Sequence, residues 1–186
     1  AKNLFDHKVD LYRGSALLES EHTVRIVGSK EEVIQGKYII IATGSKPYHP
    51  ELIPFDFKRI HDSDSILMID RFPQSLCVIG AGVIGCEYAT IFGTMGTEVF
   101  LVNDKSRILG FLDEEITNEL VEQMRGNSID ILFDSKIQKI KVPKHPDDMI
   151  RVFMETGEIL NVDMVLYAAG RVGCSRDIGC EEVGVK

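Results

Sequence analysis

A chain of 186 residues with 44% apolar and 27% charged side chains has the make-up of a globular protein, with room for one large domain or one domain plus part of another. Its net charge of −8, from 21 basic and 29 acidic residues without any basic run, argues against a nucleic-acid surface. No apolar stretch approaches the roughly 20 uninterrupted residues of a membrane span, and nothing resembles a signal peptide, so no membrane partner and a cytoplasmic setting are expected. The chain opens at Ala1 in hydrophilic sequence, as an excised piece of a longer protein would.

Residues 1–47 do not make a complete domain. Val24–Val27 and a stronger apolar run, Tyr38–Ala42, are expected as strands. Ser29–Gln35 is a charged connection between them, with Val33 and Ile34 as a possible short strand. The second run enters Ala42-Thr43-Gly44-Ser45, where Gly44 permits close approach of the backbone to a ligand or a crossing chain. Pro50 and Pro54 make Tyr48–Ile60 an irregular crossing. His61-Asp62-Ser63-Asp64-Ser65 then offers several N-caps for a short helix through Ile69, and Pro73 stops its continuation.

The stretch from Leu76 to Asn103 is the organising unit. A short apolar strand, Leu76–Ile79, runs into Gly80, Gly82 and Gly85 in G-x-G-x-x-G spacing. A helical pattern follows, and a second apolar strand, Val99–Val102, closes the unit. Each glycine has a distinct task. Gly80 makes the tight turn, Gly82 lets a pyrophosphate approach the backbone, and Gly85 lets helix and strand pack closely. The free N–H groups at the helix start, around Val83 and Ile84, face such an anion with the helix dipole behind them. Strand, triplet, helix and strand in this order define a dinucleotide-binding βαβ unit.

At the end of the second strand an NAD-specific unit carries Asp or Glu, about 20 residues past the glycines, to hold the ribose 2′-OH. Here Asn103 occupies that place and can hydrogen-bond a hydroxyl without carrying charge. Asp104 becomes the ribose ligand if the strand ends one residue later. Lys105 and Arg107 follow within reach of a 2′-phosphate, so NAD and NADP are both expected as ligands.

Asp113-Glu114-Glu115 opens the next helix, Ile116, Leu120, Val121 and Met124 give its apolar stripe, and Gly126 ends it. Ile129–Phe133 is a third parallel strand. The period then changes to two over Ile137–Val142, Met149–Met154 and Glu158–Leu160, with a hairpin turn at Thr156-Gly157. Met164–Ala168 returns to the parallel sheet and ends in Ala169-Gly170-Arg171, whereas residues 172–186 have the pattern of a linker. The fold class is therefore α/β, a Rossmann-like parallel sheet with helices on both faces and an antiparallel meander as one crossover. Cys77 and Cys86 fall on the first strand and fingerprint helix as buried small hydrophobes, while Cys174 and Cys180 sit in the polar tail. No C-x-x-C occurs and the five histidines lack ligand spacing, so no metal is expected.

The motifs I-I-I-A-T-G-S-K-P at 39–47, G-A-G-V-I-G-C-E-Y-A at 80–89 and Y-A-A-G-R at 167–171 together resemble the two-dinucleotide flavoprotein disulfide reductase superfamily. Within it the likeness is to members that move hydride between NADPH and NAD through a flavin. The resemblance implies that residues 1–47 are a remnant of an FAD-binding domain, 48–171 the NAD(P)-binding domain, and 172–186 the return toward the FAD domain. It implies that Thr43 and Gly44 approach FAD, and that Gly80, Gly82 and Gly85 cradle the nucleotide pyrophosphate. Glu87 then lies near the nicotinamide end, Ala169 and Gly170 pass the nicotinamide ribose, and Arg171 either contacts nucleotide or caps the strand. It also implies a homo-oligomer formed through a further C-terminal domain. The alternatives are the matching domain of a dihydrolipoamide dehydrogenase or other disulfide reductase, and, from another class, an NAD(H)-sensing module.

Overall fold

The computed structural model describes residues 2–145 and 147–185. The chain divides into two compact units, residues 1–46 with 172–186, and residues 47–171.

The first unit opens with a short helix, α1 (Lys2–Asp6), followed by an antiparallel three-stranded meander. Its strands are β1 (Ser15–Ser20), β2 (Thr23–Val27) and β3 (Glu31–Gln35), in spatial order β1-β2-β3. The strand expected around Val24 is present, and the segment around Val33 pairs with it as β3. Tyr38–Ala42, expected as the stronger strand, is not one. Tyr38 is 82% exposed and Ile40 89%, and among the described residues no strand pairs with this apolar run. The tail belongs to the same unit: Leu18 N–H donates to Ile178 O at 2.8 Å, and Gly179 turns with φ +85° hard against Leu18. Two short strands, β4 (Ser45–Pro47) and β13 (Arg171–Gly173), mark where the chain passes between the units.

The second unit is built on a five-stranded sheet. Its strands are β5 (Ile60–Asp62), β6 (Ser75–Ile79), β7 (Glu98–Val102), β8 (Ile129–Leu132) and β12 (Met164–Tyr167), in order β5-β12-β6-β7-β8. Every pairing in it is parallel. Helix α2 (Val83–Thr94) connects β6 to β7, and α3 (Glu114–Arg125) connects β7 to β8. Asp113 caps α3 by accepting from Glu115 N–H at 2.9 Å, with Glu114 and Glu115 in its first turn as the dipole favours. The helix expected after the His61–Ser65 caps is only a 3-10 turn, Ser65–Met68, preceded by a turn in which the Asp62 carboxylate accepts from the Asp64 and Ser65 N–H groups and Ser65 Oγ accepts from Asp62 N–H.

Both helices lie on one face, and the reason is topological. The chain steps β6 to β7 to β8 in one direction, so right-handed crossovers place α2 and α3 on the same side. There Cys86, Ala89, Phe92, Val121 and Met124 meet Leu76, Val78, Val99 and Leu101. The return from β8 to β12 runs in the opposite direction and must cover the opposite face. It does so with the antiparallel meander β9 (Ile137–Lys141), β10 (Ile150–Met154) and β11 (Ile159–Val162). Ile150, Val152, Met154, Leu160 and Val162 pack there on Cys77, Ile79, Val102 and Val165. The sheet is thus covered on both faces, but the helices expected on both lie on one face only, and the expected antiparallel meander forms the second layer. Each of these fully buried aliphatic side chains contributes about 1.5–3 kcal/mol, a cohesion that holds the β-strand ends in register for the cleft above them.

Candidate functional site

The register of the parallel sheet aligns Val102, Ile79, Tyr167 and Asp62 in one row at the carboxyl ends of their strands. A cleft of about 780 Å³ opens above this row, within the second unit. Outside the carboxyl ends, where strand order reverses about β6, is where open α/β sheets bind ligands.

Gly80 and Gly82 line the cleft while Gly85 packs beneath it, each glycine for a separate reason. Gly80 has φ +105°, and a Cβ there would lie 2.7 Å from the Ala169 Cα, so the crossing of β6 and β12 ends needs glycine twice over. Gly85 faces the Gly80 carbonyl so closely that even a methyl cannot fit. A Cβ on Gly82 would meet nothing within 4 Å, because that position looks into the open cleft. The intrahelical ladder of α2 starts with Cys86 N–H to Gly82 O, and no side chain caps the helix. The preceding N–H groups, at Val83, Ile84 and Gly85, therefore have no intrahelical partner and suit an anion at the Gly82 surface.

Burial drives the Cys77 thiol up to about 12 and the Cys86 thiol up to about 11, with Glu87 adding to the latter. Both act as small hydrophobes rather than nucleophiles.

Other nominated residues divide. Asn103, Asp104, Lys105, Arg107, Ala169 and Gly170 all line the cleft. Asn103 is 5% exposed, and its amide Nδ2 donates to Lys105 O and Arg107 O, both at 3.0 Å. Its N–H donors thus shape the turn, leaving only Oδ1 for a ligand. Arg107 donates to Gly110 O at 3.0 Å and lies 3.7 Å from the Glu114 carboxylate, which folds it back on its own loop. Glu87 is exposed on α2 and lies outside the cleft lining, one turn beyond Val83, which does line it. Arg171 donates to Ser63 Oγ at 3.2 Å and Asp64 Oδ1 at 3.0 Å, and Tyr88 fixes the same turn through Ser63 O at 3.0 Å. Arg171 also lines the cleft, so both of its readings stand. Thr43 and Gly44 belong to the other unit, where Gly44 has φ +74° and accepts from Cys174 N–H at 2.9 Å.

Several cleft residues carry no local signal in the sequence. Pro50, Leu52 and Ile53 form one wall. That wall is tied down by His49, whose Nε2 lies 2.7 Å from Asp62 Oδ2 and whose ring rests 4.2 Å from that of Phe55. Burial raises the Asp62 carboxyl, but hydrogen bonds from the Ser65 and Asp64 N–H groups and from His49 outweigh it and hold the group below its ordinary 3.8. A carboxyl lowered by folding supports the fold above its unfolded value, and that support is lost as pH falls through the folded value. Asp62→Asn should therefore cost about 1–2 kcal/mol of unfolding free energy at neutral pH. The difference should shrink in acid below the ordinary carboxylate range. Urea unfolding of both proteins across this range is the check, and a gap that stays constant would remove the charge from the account.

The cleft at the strand ends, the fingerprint turn and the strand-end loop all belong to one parallel α/β unit. A family model, pyridine nucleotide-disulphide oxidoreductase, matches residues 1–186, and the chain belongs to that family. It is 38% identical over 182 residues to the soluble pyridine nucleotide transhydrogenase of Hahella chejuensis, covering 97% of this chain and 39% of that protein. The Pectobacterium atrosepticum transhydrogenase is 37% identical over 181 residues, covering 96% and 38%. The chain thus spans about two fifths of the length of these relatives. Among solved structures, the HOCl-induced flavoprotein disulfide reductase RclA of Escherichia coli superposes with TM-score 0.82 at 27% identity, covering 98% of this chain and 41% of that one. LpdA of Mycobacterium tuberculosis, at TM-score 0.88 and 19% identity, covers 100% and 41% and shares the fold. Among the described residues no helix is long and apolar enough to cross a membrane.

Proposed function

We propose that this chain is the nicotinamide-nucleotide-binding part of an FAD-dependent soluble pyridine nucleotide transhydrogenase, acting in the cytoplasm. One observation carries the reading: the only residue of the fingerprint whose added side chain would meet open space, Gly82, faces a cleft at the switch point of the sheet. The identity to transhydrogenases along nearly the whole chain supports the particular reaction.

In this reading Gly80, Gly82 and the N–H groups of Val83, Ile84 and Gly85 hold the pyrophosphate. The loop Asn103–Arg107 meets the adenosine ribose, and Ala169 and Gly170 pass the nicotinamide end. The bound nucleotide supplies the transferable hydride, and the protein supplies orientation and exclusion of water. Thr43 and Gly44 would approach FAD in the intact enzyme, which would associate as a homo-oligomer.

Calorimetric titration with NADH and NADPH tests the reading. Both should bind, within about tenfold of each other, a gap of about 1.4 kcal/mol. A hundredfold preference for NADH would sink the dual specificity. The purified chain should be colourless and should not exchange hydride between the two nucleotides. Flavin absorbance that survives gel filtration would contradict that.

The likeness to RclA favours a second reading, the same domain of a disulfide reductase. A C-x-x-x-x-C pair upstream of Ala1 in the natural protein would decide for it.

A further inference from the structure

We propose that Lys136 is a specificity-determining residue of this cleft, its ammonium recognising the 2′-phosphate that distinguishes NADPH from NADH. The inference rests on the nucleotide reading above and adds to it a residue with no place in the fingerprint.

Lys136 lies in the turn between β8 and β9, 31 positions after Lys105, yet both line the same cleft. The backbone brings them together. Ser135 N–H donates to Asn103 O at 2.9 Å and Asp134 N–H to Lys105 O at 3.2 Å, so the two turns run side by side. From the other side Glu155 N–H donates to Lys136 O at 2.9 Å. Asp134 holds a left-handed conformation, φ +49°, within this ladder. The turn that delivers Lys136 is therefore held by backbone hydrogen bonds on both flanks.

A 2′-phosphate needs cationic donors at the ribose end, and most candidates there are engaged. Arg107 is bonded to its own loop and paired toward Glu114. Asn103 has given both amide donors to backbone carbonyls. Among the described residues, the ammonium groups of Lys105 and Lys136 have neither hydrogen bond nor ion pair, and both are exposed at the cleft. Two carboxylates, Asp104 and Glu155, line the same cleft. Each lysine has an acidic residue beside it, Asp104 next to Lys105 in sequence and Glu155 bonded to Lys136 through the backbone, and Asp104 offers itself to a ribose hydroxyl. Lys136 comes from a separate element and approaches from across the turn. Lys136 is thus the cation whose loss should be felt by the phosphorylated nucleotide alone.

The test is titration of the full chain, unmodified and as Lys136→Gln and Lys136→Arg, with NADPH, NADH, 2′,5′-ADP and 5′-AMP. Lys136→Gln should weaken NADPH and 2′,5′-ADP about five- to tenfold, the scale of one charge-assisted contact discounted for exposure. NADH and 5′-AMP should stay within about twofold, and Lys136→Arg should bind all four like the unmodified chain. Equal loss for phosphorylated and unphosphorylated ligands, or no loss for either, would overturn the proposal. Selective loss appearing in Lys105→Gln but not in Lys136→Gln would also overturn it. Failure of every nucleotide to bind the unmodified chain would remove the nucleotide reading itself, and this assignment with it.

Discussion

Gly82→Val should abolish nucleotide binding while leaving the fold intact. Gly82 has φ −80° and extended ψ, which any residue adopts, and a Cβ there meets no protein atom within 4 Å. The valine side chain therefore costs the folded chain little beyond its exposure. It would stand where a pyrophosphate must approach the first N–H groups of α2, and those contacts cannot form at a distance. Affinity for NADH should fall at least a hundredfold, about 2.7 kcal/mol, with unfolding free energy changed by about 0.5 kcal/mol or less. Retained affinity would place the nucleotide elsewhere in the molecule.

Gly85→Ala should show the reverse balance, and it is the largest stability effect expected from one methyl group. The new Cβ would overlap the Gly80 carbonyl, with the Val78 side chain 3.6 Å away, so α2 would have to retreat from β6. That movement loosens Ala89 and Phe92, both buried against the sheet. Overpacking of this kind costs about 1–3 kcal/mol, and a clash with backbone rather than with a flexible side chain puts Gly85→Ala at or above the upper end. Denaturant unfolding gives the answer. A loss below about 0.5 kcal/mol would mean that the helix start shifts freely, and that the close packing does not define the turn.

These two substitutions differ by three positions in the chain, and the sequence pattern alone assigned them their different tasks. The triplet spacing, the buried run before it and the second run after it were legible because each depends on near neighbours. So were α3 with its Asp113 cap and the change to period two at Ile137. Tyr38–Ala42 differs for the opposite reason. Its composition favours a strand, but a strand needs a partner, and among the described residues of this chain, about two fifths of its relatives' length, none lies beside it.

The strand-end loop shows where local reading ran out. Asn103 stands at the expected place, immediately after β7, and the residue types around it point to ribose and phosphate. Whether its amide faces ligand or backbone depends on Lys105 O and Arg107 O coming round to meet it. Arg107 and Arg171 are cations in sequence, but each is engaged by neighbouring protein groups in the fold.

What the sequence determined by itself was the βαβ unit, the acidic balance and the order of elements, because turn chemistry and hydrophobic period act over a few residues. The tertiary structure alone decided that both helices share one face, since handedness acts on the spatial order of strands. It alone set the wall of Pro50–Ile53 against the cleft through His49 and Asp62. It also brought Lys136 beside Asn103, by two backbone hydrogen bonds between turns some thirty residues apart. Such pairings depend on which strands become neighbours, and no window of the sequence contains that information.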